Sequence, residues 1–259
     1  MSINQSTCQE RVNVLYLIWS LGLGGAEQIV IQTAIGLNRQ RFVPYICCLN
    51  DEGPFAYQAK SQGIPVISLY KRRGLDISVI PKLLRVIRDN HIGLIHAHLW
   101  GANFWGRIAA IMSGVPVVVT EHNVDVWKKW YHKAADRLLA VGTQKICVVS
   151  EQVKEFYMKS VGISASRLEV VYNSIAPDPP PLDAAEIKNI RQGFGIHNGT
   201  PVLVNMGRLV EAKANHIFIA KSFIKMYDFF CCFYAILVFN SQFNCKTHDT
   251  PPLNELILL

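Results

Sequence analysis

Apolar segments rich in β-branched residues alternate with helical patterns along most of the chain, and this alternation limits the possible folds more than any other feature. The strand candidates are residues 12–19, 43–49, 65–69, 94–97, 115–120, 145–149, 168–172 and 201–206. Helices are expected between or after them, near residues 26–38, 54–62, 77–90, 101–113, 126–140, 151–161, 184–194 and 213–227. Nearly continuous apolar strands that alternate with helices predict an α/β fold with a parallel sheet covered on both faces.

The segment 177–181 contains four prolines in five residues and marks the clearest boundary in the chain. Such a run extends neither a helix nor a central strand, so we expect a stiff connector there. Residues 1–175 then form a complete α/β domain, and 176–198 hold the linker and a helix. Residues 199–228 begin a second α/β unit, whereas 229–259 match neither a helical nor an alternating pattern.

The composition is that of a globular chain. Of 259 residues, 50% are hydrophobic and 17% are charged, and the net charge of +7 suits anionic partners without choosing among them. The longest apolar run, at 229–239, is shorter than the ~18 residues that a membrane span needs, which argues against an integral membrane protein. Seven scattered cysteines indicate reduced thiols and a cytoplasmic location. No cleavage site follows the apolar stretch 12–19, so a first strand is preferred there to a signal peptide.

A glycine-rich turn follows the first strand, between Ser20 and Glu27. Glycines at a strand-to-helix turn allow backbone N–H groups to approach a phosphate at the positive end of the helix. The dinucleotide fingerprint is not met, because Glu27 stands at its third glycine position counted from Gly22, and no acidic residue stands at the usual ribose offset. This argues against a nicotinamide enzyme. The alternative is a tight turn that serves packing alone.

Three histidines follow two strands of the predicted sheet. His96 and His98 end the fourth strand, and His122 comes directly after the fifth. The carboxyl edge of a parallel sheet is where ligands bind, so three histidines there favour a functional site. Residues i and i+2 of a strand share a face, which leaves a zinc site with His122 as third ligand open. Metal is the less favoured interpretation, because only Glu121 offers a nearby carboxylate, and each histidine taken singly fits a packed, hydrogen-bonded side chain.

Cations and aromatic side chains cluster at residues 127–133, within the predicted helix 126–140. Such a cluster is compatible with contact to an anionic membrane surface or with stacking on nucleic acid. It is also compatible with an ordinary solvated helix face, which is the commonest case. Because the chain carries no nucleic-acid-binding motif elsewhere, we expect no nucleic-acid partner.

Two further cations follow the strand candidate 201–206. Arg208 and Lys213 flank the start of the predicted helix 213–227, so both cations and the helix dipole converge on one anion-sized space. A planar guanidinium fork and an ammonium point charge together suit a diphosphate. The alternative is a solvated turn.

Taken together and in this order, these features resemble a family 4-type glycosyltransferase of the GT-B fold. The resemblance covers roughly residues 12–228, and the matching motifs begin at Gly24, His96, Thr120, Val148, Val171 and Gly207. It implies a Rossmann-like doubly wound parallel sheet as the first domain and an incomplete second Rossmann-like domain. It further implies that the first domain holds a glycan or lipid-linked acceptor and the second a nucleotide sugar such as a UDP- or GDP-sugar. Transfer would retain the anomeric configuration and require neither cofactor nor metal.

The resemblance also implies roles for individual residues. His122 matches the histidine that contacts the transferred sugar and is the expected catalytic residue. Gly24 and Gly25 match the loop near the donor phosphates, and Arg208 and Lys213 match the pair that neutralises the departing diphosphate. The remaining expected substrate-binding residues, within the other matched motifs, are His98, Asn123 and Asn173. On the same basis, residues 126–133 are expected to bring the enzyme to the inner membrane face when its acceptor is lipid-linked.

The sequence departs from the family pattern in its second part. Residues 174–176 and Ala214 differ from the usual residues at their positions. The expected pair of glutamates after Lys213 is missing, since the only glutamate after Glu211 is Glu255. We therefore expect a truncated glycosyltransferase with an out-of-frame tail at 229–259, impaired in activity and binding nucleotide sugars more weakly than about 1 mM. The alternatives are a non-catalytic module that binds the acceptor or recruits a partner, and a zinc hydrolase built on the histidines.

Overall fold

The computed structural model describes residues 11–174, 181–197, 200, 202–207, 217, 235–240 and 257–258. The chain divides into two compact units, Met1–Ile175 and Ala176–Leu259, and each is described by itself.

The first unit is built on a seven-stranded, entirely parallel sheet, as the alternation of strands and helices predicts. Its strands are β1 (Val12–Ile18), β2 (Phe42–Cys48), β3 (Val66–Ser68), β4 (Ile92–His98), β5 (Val117–Glu121), β6 (Lys145–Val148) and β7 (Leu168–Val170). Their spatial order is β3-β2-β1-β4-β5-β6-β7. The order reverses between β1 and β4, and in such sheets the crevice for ligands opens at that reversal, outside the carboxyl ends of the strands.

Helices connect the strands and cover both faces of this sheet. They are α1 (Gly25–Gly36), α2 (Ala56–Ser61), α3 (Val79–Asp89), α4 (Trp100–Ser113), α5 (Trp130–Leu139) and α6 (Glu151–Phe156), the last continued by a π-helical turn, Tyr157–Val161. Strand β1 shows why helices are needed on both sides: Leu15 and Leu17 belong to one buried cluster, whereas Tyr16 and Ile18 belong to another. Alternate residues of a strand face opposite sides, so both faces are apolar and the sheet is doubly wound, as expected.

The helix boundaries follow local chemistry. The Ser150 hydroxyl accepts a hydrogen bond of 3.3 Å from the backbone N–H of Val153 and thereby caps α6. At the other end of a helix, Gly114 takes a left-handed φ of 73° and its N–H bonds the Ala110 carbonyl at 2.9 Å, which closes α4. Within the described ranges, no helix is both long and apolar enough to cross a membrane.

The helix predicted at 126–140 begins later than expected, at Trp130. The Lys128 side chain is fully buried, and its Nζ lies 2.8 Å from Asp136 and 3.1 Å from Asp125. Lys129, the N-cap of α5, has an extended backbone with φ −75° and ψ 168°, so the helix does not include Lys128. The interpretation of 127–133 as one solvated helix face is therefore wrong for Lys128.

The second unit contributes α7 (Ala184–Gly193), β8 (Val202–Gly207), β9 (Ala235–Asn240) and β10 (Ile257–Leu258). Asp183 and Glu186 form a reciprocal capping box at the start of α7. Strand β9 pairs in parallel with β8 and antiparallel with β10. No element was expected at β9, because periodicity alone does not identify a short apolar run as a strand. The predicted helix 213–227 lies almost wholly outside the described residues.

Candidate functional site

The carboxyl ends of three neighbouring strands meet at one edge of the first sheet. In the strand pairing, Tyr16 of β1 lies opposite His96 of β4, and His98 lies opposite Thr120 of β5. The loops that leave β1, β4 and β5 therefore converge at the reversal of strand order. Three of the predicted site residues lie at this edge: His98 ends β4, and His122 and Asn123 directly follow β5.

His96, His98 and His122 form one group, here called the histidine cluster. The ring centroids of His96 and His98 are 4.2 Å apart, and those of His98 and His122 are 5.3 Å apart. His98 Nδ1 and His122 Nε2 share a hydrogen bond of 3.0 Å, while His96 Nε2 lies 2.8 Å from the Thr120 hydroxyl. The structure thus brings together three histidines that come from two strand ends.

Burial keeps the histidine cluster uncharged at neutral pH. Desolvation lowers the pKa of His96 to about 4, and it lowers the pKa of His122 to about 4 as well. The pKa of the fully buried His98 is also well below its usual value, first through desolvation and then through its two histidine neighbours. The cluster accordingly offers neutral imidazole groups that donate or accept hydrogen bonds.

The zinc hypothesis does not match this geometry. Among the described residues, no group of three or more His, Cys, Asp or Glu side chains is arranged to hold a metal ion. Three of the ring nitrogens instead form hydrogen bonds, His98 Nδ1 with His122 Nε2 and His96 Nε2 with the Thr120 hydroxyl.

A second buried group, here called the charge cluster, lies next to the histidines and consists of Arg107, Asp125, Lys128 and Asp136. Asp136 accepts from Arg107 at 3.1 Å and from Lys128 at 2.8 Å. The Tyr157 hydroxyl donates to Asp125 at 3.3 Å, which connects the π-helical turn to the cluster. Sequence reasoning missed this cluster. The sequence pattern that could have indicated it is the i, i+3 spacing of Asp125 and Lys128, which places opposite charges close together inside an aromatic segment.

A cavity of about 260 Å³ opens where these loops converge, and we call it the tryptophan cavity. Its lining residues come from the ends of β1, β4 and β5 and from the segment before α5: Trp19, Leu99, Trp100, Gly101, Glu121, His122, Asn123, Asp125 and Trp127. The predicted site residues His122 and Asn123 are among them. The three tryptophans were not predicted, because they are distant in sequence and each alone resembles an ordinary core or surface residue.

The cavity wall contains a strained residue. Leu99, the N-cap of α4, has φ 70° and ψ 152°, a backbone conformation that glycine adopts far more easily than leucine. Such a conformation costs on the order of 1–3 kcal/mol and is found preferentially at functional sites. Two hydrogen bonds hold it in place: Leu99 N–H bonds the Thr120 carbonyl at 3.3 Å, and the Leu99 carbonyl accepts from Asn103 N–H at 2.8 Å.

The glycine turn lies at the amino end of α1. Gly24 is the N-cap with an extended backbone and no side-chain capping bond, and Gly25 begins the helix. A neighbouring turn holds this loop, since Leu21 N–H bonds the Glu52 carbonyl at 2.9 Å and Phe55 N–H bonds the Leu21 carbonyl at 2.9 Å.

Asn173, a further predicted site residue of the first unit, is not brought to the cavity. Asn173 is exposed beyond β7, two strands away from β5, and does not line the cavity. Arg208 and Lys213 lie outside the described residues.

Comparisons with known proteins agree with this fold. A family model described as Glycosyltransferase Family 4 matches residues 23–179. A curated relative, alpha-maltose-1-phosphate synthase of Mycolicibacterium smegmatis, is 20% identical over 132 residues, which make up 46% of this chain and 34% of that protein. The chain therefore spans about a third of the length of this relative.

Two solved structures show the same architecture. A glycosyltransferase from Rickettsia africae superposes with a TM-score of 0.71 at 16% identity, over 92% of this chain and 62% of that one. Anabaena HepE in complex with UDP superposes with a TM-score of 0.65 at 22% identity, over 81% of this chain and 57% of that one. These likenesses confirm the Rossmann-like α/β fold.

Proposed function

The chain belongs to glycosyltransferase family 4, and on that basis we propose that it transfers a sugar from a nucleotide-sugar donor to a glycan or lipid-linked acceptor, with retention at the anomeric carbon. The observation that carries the proposal is the position of the tryptophan cavity and of His122. Both lie at the carboxyl edge of the sheet, beside the reversal of strand order. Except for Trp19, all residues that line the cavity fall within the part of the chain that matches the family.

His122 acts in this proposal as a neutral hydrogen-bonding group to the transferred sugar. With a pKa of about 4, its ring is uncharged at neutral pH, so it orients a hydroxyl group and does not supply a charge. His98 positions it through the 3.0 Å bond between the two rings. Asn123 lines the same cavity and binds substrate beside it.

The donor phosphates are assigned to the glycine turn and to two cations of the second unit. The N-terminus of a helix is a general binding site for anions, and on this basis the phosphates are proposed to lie at Gly24, the N-cap of α1, and Gly25. Arg208 and Lys213 neutralise the departing diphosphate, and Asn173 completes the substrate contacts. A uridine nucleotide is supported by the UDP found in the HepE complex, and a GDP-sugar is the alternative.

Transfer by this chain is proposed to be impaired, because the acidic pair expected after Lys213 is missing. We expect calorimetric titration with UDP-glucose and with a GDP-sugar to give dissociation constants above about 1 mM. Micromolar binding would contradict the impairment while leaving the assignment as a transferase in place.

A radiometric assay of sugar release or transfer tests the function itself. Residual turnover of a labelled nucleotide sugar is expected in the unmodified chain and is expected to disappear in His122→Ala. His91→Asn is the matched control, because His91 is exposed and lies outside the site. Turnover that survives His122→Ala contradicts the role of His122. Absence of any turnover, together with a specific hetero-complex in size-exclusion chromatography, favours the alternative of a non-catalytic, partner-recruiting module.

For a lipid-linked acceptor, we propose a cytoplasmic location and peripheral contact with an anionic membrane through 126–133 and the adjoining end of α5. Trp130 and Leu138 are 80% and 74% exposed, and Lys133 and Arg137 line the same shallow groove. Exposed apolar side chains flanked by cations suit an anionic lipid surface. Co-sedimentation with vesicles that contain phosphatidylglycerol is expected, and binding that does not depend on anionic lipid would contradict the proposal.

A further inference from the structure

The segment between β3 and α3, residues 69–78 and here called the β3–α3 loop, turns apolar side chains to the solvent. Tyr70, Leu75 and Ile77 are 69%, 79% and 68% exposed. Tyr70 also has a left-handed φ of 50°, a conformation that is disfavoured for tyrosine and is found preferentially at functional sites. A single exposed apolar residue is ordinary, whereas a group of them marks a surface for contact with a protein or a membrane.

Two charged side chains of the same loop hold its backbone. Lys71 is buried, and its Nζ donates to the carbonyl groups of Arg72 at 2.8 Å and Gly74 at 2.5 Å. The Asp76 carboxylate accepts from the backbone N–H groups of Arg72 at 2.7 Å and Ser78 at 3.2 Å. Lys71 and Asp76 thus bond the loop backbone, while the apolar side chains face the solvent.

The loop is also tied to the body of the first unit. The Nζ atom of Lys71 lies 5.5 Å from the ring centroid of Trp19 and 5.9 Å from that of Trp105, which are cation–π distances. At the start of the loop, Lys82 of α3 donates to the carbonyl group of Leu69 at 2.7 Å. Folding the apolar side chains inward would break these contacts, so their exposure is a property of the folded loop.

The loop and the helix that follows it are strongly basic. Together they contain six Lys or Arg and two Asp, a net charge of +4, whereas the whole chain carries +7. Arg72, Arg73 and Arg85 are exposed, and none of the three forms an ion pair with a residue that the structure describes. The two carboxylates are already engaged, one by the loop backbone and the other, Asp89, by Arg88 at 2.8 Å. An anionic partner would therefore meet guanidinium groups that are not yet paired.

An anionic bilayer matches this combination better than the alternatives. Leucine and isoleucine side chains enter the acyl region, a tyrosine ring suits the interface, and guanidinium groups bind the phosphates of headgroups. A free anion would leave the apolar side chains in water. A nucleic acid would do the same, since the loop offers one aromatic ring, that of Tyr70, for stacking on bases. An acidic protein surface is the remaining alternative and is one outcome of the test below.

The loop is separate from the surfaces described above. It leaves β3, the edge strand, which is four positions from β5 in the sheet. Neighbouring strands are about 4.8 Å apart, so β3 and β5 are separated by roughly 19 Å. Residues 126–133 follow β5, and no residue of the loop lines the tryptophan cavity or the groove along α5.

We propose that the β3–α3 loop is a membrane anchor, in which Leu75 and Ile77 enter an anionic bilayer while Arg72 and Arg73 bind its headgroups. This interaction goes beyond the proposed function, because it requires neither a nucleotide sugar nor an acceptor. It also uses a contact surface other than residues 126–133.

Co-sedimentation of the full chain with vesicles tests the proposal. The vesicles contain phosphatidylcholine alone or phosphatidylcholine mixed with phosphatidylglycerol, and we expect binding to the mixed vesicles. Leu75→Asn combined with Ile77→Asn is expected to lower the partition coefficient by at least ~10-fold, because less apolar surface then leaves water. Arg72→Gln combined with Arg73→Gln is expected to lower it by ~10–30-fold for the mixed vesicles, because two contacts with anionic headgroups are lost.

The matched control is Tyr57→Asn. Tyr57 is as exposed as the apolar residues of the loop but lies on α2, so its replacement is expected to leave binding unchanged. All the substituted side chains are exposed, and thermal unfolding of each variant is expected to match that of the unmodified chain. If the double asparagine variant unfolds early, Leu75→Asn alone replaces it, with an expected loss of ~3-fold or more.

Three results would overturn the proposal. The first is no binding to the mixed vesicles. The second is equal binding of the loop variants and the unmodified chain, and loss of that binding in Trp130→Asn would place the contact at residues 126–133. The third is binding that is lost in the arginine variant but kept in the asparagine variant, which shows a site for an acidic protein or a free anion without insertion. Vesicle binding through the loop in a chain without turnover would support the anchor and contradict the transferase function.

Discussion

The histidine cluster and the charge cluster lie side by side at one edge of the sheet, yet they meet the cost of burial in opposite ways. The histidines lose their charge, and their rings exchange neutral hydrogen bonds. The charge cluster instead pairs acidic side chains with basic ones, and Arg107 and Asp136 are each only 1% exposed. A neutral imidazole exchanges one partner for another at modest cost, whereas a buried ion that loses its partner is strongly destabilised.

This difference indicates that the two clusters have different roles at the cavity. Each cluster places one side chain on the cavity wall, His122 from the histidine cluster and Asp125 from the charge cluster. The charge cluster supports the wall from behind, because Asp125 also lines the cavity and is held by Lys128 and Tyr157. Glu121 lies between the two groups. Burial raises its pKa, and the neighbouring Lys128 acts in the opposite direction.

Removing Asp136 is the strongest test of this comparison. Asp136→Ala leaves Arg107 and Lys128 without the carboxylate that both contact, so we expect a loss of about 3–5 kcal/mol in the free energy of unfolding. Urea denaturation measures it. The control is Glu169→Ala, which breaks an ion pair with Lys145 whose side chains are 56% and 41% exposed. That variant should lose no more than about 1 kcal/mol. A similar loss in both variants would show that the charge cluster is not structural.

The histidine cluster should make the stability of the folded protein depend on pH. The pKa of His96 is about 4 in the folded protein and near 6.5 when unfolded. Between these values the unfolded state binds more protons, so this contribution to stability is complete above pH 6.5 and falls as pH decreases toward 4. For His96 the loss is about 2–3 kcal/mol at pH 4. Thermal unfolding of the unmodified chain and of His96→Gln, each measured between pH 4 and 6.5, isolates the contribution of His96.

The matched control for the pH experiment is His91→Gln, because His91 is exposed. This variant removes a histidine outside the cluster and provides the reference slope. If His96→Gln keeps the same slope as the unmodified chain between pH 4 and 6.5, the histidine cluster does not differ from the rest of the protein in the way proposed.

The smallest effect on stability is expected from a pair of isosteric variants, which compare one hydrogen bond of each cluster directly. Thr120 is the hydroxyl partner of neutral His96 at 2.8 Å, and Thr143 accepts from charged Arg107 at 3.1 Å. Hydrogen bonds to charged groups contribute about 1.5–3 kcal/mol, against about 0.5–1.5 kcal/mol for neutral pairs. Thr143→Val is therefore expected to be more destabilising than Thr120→Val in urea denaturation. The reverse order would contradict the distinction between the two clusters.

The alternation of apolar strands and helices was sufficient to predict the parallel sheet. Strand β1 was expected at 12–19 and is found at Val12–Ile18, and β6 was expected at 145–149 and is found at Lys145–Val148. The sequence also predicted that His96, His98 and His122 meet. Residues i and i+2 share a face of a strand, and the carboxyl ends of parallel strands lie at one edge.

Only the tertiary structure decided the rest of the site. Trp19, Trp100 and Trp127 are far apart in sequence and converge because β1, β4 and β5 are neighbours in the sheet, an order that periodicity does not encode. The buried ion pair between Arg107 and Asp136 likewise joins two helices, α4 and α5, through residues that are 29 positions apart. Local patterns specify which segments become strands and helices, because hydrophobic periodicity is a property of neighbouring residues. Cavities and buried ion pairs arise from contacts between distant segments, so their chemistry becomes visible only when the chain is folded.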